Sequence, residues 1–183
     1  MTRAARAGAL ALALAGLSTP ASAQVRPPAR TADTSETARY RDLLVGVRDS
    51  IHPVSAAIIT FRRDLSSAGP ETVTAKAAEL VRACGRARAA LVTLPPRLEP
   101  SAAPPRARSA ADALRQATRE LDHQLRDDCE RGLRFEGLAG APDSLRAWGP
   151  YRTARLRQTI NRFDAASNRF ASAVGFKFPI PGR

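Results

Sequence analysis

Glu120-Leu-Asp-His123 carries the Glu-x-x-His spacing with which four-helix bundles hold a pair of iron ions, and Asp49-Ser-Ile-His52 offers a weaker second copy. Both fail on direction. At about 100° per residue, Glu120 and His123 point roughly 140–160° away from the apolar line Leu121–Leu125–Cys129. Asp49 points almost directly away from the stripe of its own helix, and His52 roughly 120° away. Ligands of a core metal must project inward, so no metal site is expected.

Other catalytic signatures are missing from the residues themselves. There is no Cys-x-x-Cys-His for covalent haem, and the only methionine is Met1. Two histidines, both expected in water, leave a Ser-His-Asp or Cys-His arrangement nothing to build on. Phosphate-cradling glycine loops are absent. No catalytic residue and no cofactor is expected, and the chain does not read as an enzyme.

Two features remain that do suggest chemistry. Cys84 and Cys129 are the only thiols and both fall on apolar stripes; an even pair in an exported chain predicts a disulfide. Register makes a demand on it, because Cys84 lies about 21 Å above the start of its helix and Cys129 only about 9 Å from the end of its own. The bridge forms only if the third helix stops one or two turns short of that end of the bundle. The second feature is a set of arginines. Arg155, Arg162 and Arg169 repeat at seven, with Arg152 adjacent, so they line one helical face.

Of the net charge of +12, residues 1–23 carry +2, and 142–174 together with Lys177 and Arg183 carry +6 of the remaining +10. Residues 142–174 hold six arginines against Asp143 and Asp164, whereas residues 104–135 balance seven arginines with six acids. A preponderance of arginine over lysine, 27 to two, also fits the codon bias of a GC-rich genome. Bias does not account for acids missing from one helix and present on the next. Two readings stay open: the charge is compositional, or the face binds anions, namely an anionic envelope polymer, a membrane surface or an acidic protein. Nucleic acid is not expected, because few aromatics interleave the arginines and export removes the usual target.

The elements that must position these residues are helices. Tyr40, Leu44, Val47, Ile51, Val54, Ile58, Phe61 and Leu65 fall at alternating steps of four and three, and Val73, Ala77, Leu80, Cys84, Ala87, Leu91 and Leu94 repeat the rhythm. A third stripe comprises Leu114, Ala117, Leu121, Leu125, Cys129 and Leu133, and a fourth Leu156, Ile160, Phe163, Ser167, Phe170 and Val174. No strand pattern competes. The fold class is all-α, an antiparallel up-down-up-down four-helix bundle over 36–175, with helices at about 36–66, 70–94, 104–135 and 143–174. Pro53 should kink the first helix without ending it, since the stripe keeps its phase. Gly69-Pro70 is a stop and restart, Gly149-Pro150 a kink or restart, and Gly175 a stop. Residues 176–183 form an extended tail in which Phe176, Phe178 and Ile180 alternate; it is expected to fold back over the bundle end, the alternative being a docking strip for a partner or membrane surface.

Residues 1–23 read as a cleaved signal peptide: Arg3 and Arg6, an uncharged apolar run Ala7–Leu17, then Ala21-Ser22-Ala23. No cysteine follows for a lipid anchor and no arginine pair precedes for a twin-arginine route. Residues 24–35, polar and proline-bearing, are an expected disordered linker. No second apolar run of membrane length is evident, so the mature chain is expected in the periplasm or outside the cell. The sequence thus points to a non-enzymatic exported helical bundle, a binding or structural module of the cell envelope acting through the basic face. The alternative is a small-molecule-binding or catalytic bundle whose pocket sequence does not reveal.

Overall fold

A computed structural model describes residues 34–94, 96, 98, 103–134 and 142–178. The expected signal peptide, linker residues 24–33, residues 95, 97 and 99–102 of the stretch joining the second and third helices, residues 135–141 and residues 179–183 lie outside the described residues. Among the described residues there is no strand. Four long helical stretches form a bundle: α1 (Thr34–Ser67), α2 (Pro70–Leu91), α3 (Arg108–Gln124) continued by a π-helical segment (Leu125–Leu133), and α4 (Pro142–Val174). A 3₁₀ turn, Pro105–Ala107, leads into α3.

Every stripe residue named from the sequence is buried, from Tyr40 to Val174. Each stripe turns inward because burying a large apolar side chain is worth about 1.5–3 kcal/mol. Phe61, Phe163 and Phe170 are the largest side chains fully enclosed. Tyr40 meets Phe170 edge to face at 5.2 Å. The start of α1 lies beside the end of α4, where the Thr37 hydroxyl donates to the Val174 carbonyl at 3.2 Å. The end of α1 lies beside the start of α4: a Cβ added at Gly149 would stand 3.0 Å from the Phe61 ring. The glycine is what lets the two helices approach there.

Several boundaries differ from the sequence expectation. Thr34 and Ser35 are already helical rather than linker. Pro53 and Pro150 both sit inside continuous helices, so Gly149-Pro150 does not restart α4. Helix α2 ends at Leu91, three residues early, in a turn that still buries Leu94. Gly69 precedes Pro70 at the first position of α2, and Gly175 ends α4 at φ 98°, a left-handed conformation that suits glycine. By length and composition α1 is also the one helix among the described residues apolar enough to cross a membrane, contrary to expectation. Its stripe packs against α2 and α4.

The largest departure is in the third helix, expected to be regular to residue 135. Nine of its residues take the wider π turn. Each π residue advances through a smaller angle than an α residue, so Leu125, Cys129 and Leu133, spaced by four, stay in one line toward the core. Asp128 is carried inward beside them, to 6% exposure.

The tail folds back as far as it is described. Phe176 is buried, and its ring meets Phe178 edge to face at 5.3 Å. The Arg48 guanidinium covers the Phe178 ring at 4.1 Å and reaches Asp164 of α4 at 3.5 Å. One arginine thereby ties α1, α4 and the tail together.

Candidate functional site

Cys84 of α2 and Cys129 of the π segment are disulfide-bonded, with Cα atoms 6.4 Å apart and both residues fully buried. The bridge pins α2 to the π segment. Arg88, one turn along α2, adds a fork: its Nε donates to Asp122 and its Nη1 to Glu130, each at 2.9 Å. The Asp122 hydrogen bond is the main reason the Arg88 guanidinium holds its proton more firmly than usual. Together these contacts set the register of the third helix, and that register decides which acids face α4.

The arginines of α4 meet those acids. Arg152 Nη1 donates to Asp128 Oδ1 at 3.1 Å. Its guanidinium lies so close over Gly132 that a Cβ there would be 2.6 Å away. Arg155 Nε approaches Asp128 Oδ2 at 3.6 Å, an ion contact too long for a hydrogen bond, so that oxygen accepts none. Arg162 stands 3.7 Å from Glu120. Arg169 donates only to the Ala165 carbonyl of its own helix, at 3.3 Å, among the contacts resolved for it.

The four arginines therefore do not form one uniform bare face. Arg152 is the most enclosed of them. Arg155 and Arg162 keep side-chain exposures of 47% and 57% despite their acids. With five N–H donors each, both still present donors to solvent while one edge faces a carboxylate.

Two residues on this row were missed in the sequence. Trp148 and Tyr151 are 56% and 55% exposed. They precede Arg155 at the i, i+3, i+7 spacing that places all three on one side of α4. The Arg155 guanidinium lies 5.5 Å from the Tyr151 ring centre and its Nη1 donates to the Tyr151 hydroxyl at 3.4 Å. Large aromatic side chains so exposed are not explained by core packing. The row that results, Trp148–Tyr151–Arg155–Arg162–Arg169, runs about 31 Å along α4.

Beside Arg162 the row opens into a shallow recess of about 330 Å³, walled by Arg119, Glu120, His123 and Gln124 of α3 and by Thr159 and Arg162 of α4. Glu120 and His123 thus belong to a polar surface recess, while Asp49 and His52 are exposed on α1. His123 Nε2 lies 3.0 Å from Asp127. The Arg126 hydrogen bond is the leading reason that Asp127 titrates below the usual carboxylate range. No cluster of three histidine, cysteine or carboxylate side chains able to hold a metal occurs among the described residues.

A second, larger cleft of about 1030 Å³ opens between α1 and the end of α2, with Glu36, Arg39, Tyr40 and Asp42 on its rim and Leu43 and Ala90 on its wall. The Tyr40 hydroxyl faces Glu36 there at 3.5 Å, and burial first, then the Glu36 charge, pushes the phenol pKa up. No protein-family model, curated protein or solved structure matches this chain.

Proposed function

We propose that this chain is an exported, non-enzymatic helical bundle, its helices running up-down-up-down, that binds anionic material of the cell envelope through the outer row of α4. One observation carries the reading: two large aromatic side chains, each more than half exposed, continue the row of arginines on the same side of one helix. A row of this composition offers charge-assisted hydrogen bonds and flat apolar contact together, the combination enriched at binding surfaces. Export is supported by the order of charged, apolar and small residues before position 24, and by a buried disulfide of the kind that persists in oxidising compartments.

The test is binding of the purified protein to anionic vesicles or to envelope polymer across a salt series. Exposed charges act over about 8 Å at physiological salt, so binding should fall steeply as salt rises. Arg155→Gln with Arg162→Gln should abolish binding while changing stability by only about 1 kcal/mol, since neutral amides set no new carboxylate against Asp128 or Glu120. Equal binding by parent and double variant would refute the reading. The α1–α2 cleft favours a second reading, a small-molecule site on a core-filled bundle; a ligand protecting Tyr40 and Arg39 rather than Arg155 would support that one.

A further inference from the structure

We propose that the occupant of the α4 row is a linear acidic polysaccharide, with Trp148 stacking on a sugar ring and the Arg119/Arg162 recess holding a sugar carboxylate. The proposal rests on the anion-binding reading above and narrows it to one class of polymer. Three observations point to a glycan rather than to a lipid surface or a bare polyanion.

The first is the spacing. Arg155, Arg162 and Arg169 stand seven residues apart, about 10 Å per step along α4. Two rings of an extended glycan cover a similar length, so a polymer with acidic sugars at regular intervals can meet successive arginines.

The second is the chemistry of the recess. Arg119 and Arg162 can take a carboxylate by bidentate hydrogen bonding. Glu120, Gln124 and Thr159 line the same recess. A pyranose ring carries hydroxyls that both donate and accept, so it has a use for the Glu120 carboxylate 3.7 Å from Arg162. An acidic sugar sets its carboxylate against the arginines and turns a neighbouring hydroxyl donor to Glu120, whereas a polyanion without hydroxyls has no donor to offer that carboxylate.

The third is Trp148. It stands about 21 Å from Arg162 along the helix, exposed and without a charge of its own. A flat, exposed indole suits the apolar face of a sugar ring, as aromatic side chains combine large contact area with defined geometry.

Trp148 is the only tryptophan in the chain, so intrinsic fluorescence reports directly on one end of the row. Protein purified as exported from an expressing host is titrated with polygalacturonate, with neutral dextran, with polyglutamate and with phosphatidylglycerol vesicles. The expected result is saturable binding of polygalacturonate that changes Trp148 emission, and no binding of dextran. Trp148→Ala and Arg162→Gln should each weaken polygalacturonate binding by about tenfold, while Trp148→Ala leaves any weak polyglutamate binding unchanged. Unchanged circular dichroism and melting in both variants assign the loss to contact rather than folding. Polyglutamate binding as tightly as polygalacturonate, or full affinity in Trp148→Ala, overturns the glycan assignment. Binding to the vesicles alone overturns it too, yet leaves the anion-binding reading standing. No binding to any anionic probe overturns both.

Discussion

Two aspartates contacting α4 arginines or belonging to α4 illustrate opposite uses of a carboxylate. Asp128 is carried into the bundle by the π segment and spends one oxygen on Arg152, which itself rests over Gly132. Removing that carboxylate strands two guanidinium groups against a buried surface, although both retain partial access to water. Asp128→Ala should therefore lower stability by about 1–2 kcal/mol, less than the loss at a fully buried pair. Urea denaturation measures it; an unchanged midpoint would mean the arginines relax into solvent without cost. Asp164 is the reverse case. Partial burial raises its pKa and the Arg48 charge lowers it by less, so the net shift is upward. A raised carboxylate pKa contributes stability that is full below the unfolded value and is lost as pH rises through the folded one. Asp164→Asn should thus gain stability relative to the parent as pH climbs from the acid end of the carboxylate range toward neutrality. Denaturation of both proteins at several pH values tests the sign, and a variant that loses ground as pH rises would show that the Arg48 pair dominates.

At the scale of elements, the disulfide is the tie whose removal should be felt most. Closing a loop across 45 positions, it restricts the unfolded chain by about 4 kcal/mol on loop-closure entropy. Cys84→Ala with Cys129→Ala should lose about that much, measured by chemical denaturation against the oxidised parent. Two titratable thiols in denatured protein taken from an oxidising compartment would contradict the bridge itself. The four stripes were legible because helical periodicity is a local pattern, repeated often enough in each segment to stand above noise. The π segment was not read, although Ala117, Leu121, Leu125, Cys129 and Leu133 carry its trace. Four consecutive steps of four exceed the α-helical repeat and suit a wider turn. That omission hid the acids of the site. Which carboxylates oppose Arg152, Arg155 and Arg162 depends on the register of the third helix, set by pairings distant in sequence. The arginine row itself was legible from its seven-residue repeat. Trp148 was not added to it because Gly149-Pro150 reads as a break, whereas the helix passes through both residues; Tyr151, beyond that break and four residues before Arg155, was legible by spacing and its exposure was not.

Across the whole molecule, positive charge and apolar burial are assigned to different places, and the tail tests that division. Residues 176–183 add Lys177 and Arg183 to the basic quarter of the chain, which makes the tail a rival docking strip to the α4 row. Its packing argues for a structural part. Phe176 is buried against the bundle, Phe178 lies under Arg48, and Arg48 also reaches Asp164. Truncation after Gly175 removes one buried and one half-buried phenylalanine and frees Arg48 from its ring contact. The cost should be about 2–4 kcal/mol from apolar burial. In a chain of this size, about 1 kcal/mol moves the midpoint by roughly 2–4 °C, so melting should fall by roughly 5–15 °C. Binding to anionic vesicles or polyuronate, measured well below that melting point, should stay within about twofold of the parent, because the truncation leaves Trp148, Arg155 and Arg162 in place. The opposite pattern, binding lost while the melting point holds, would move the docking site from α4 to the tail.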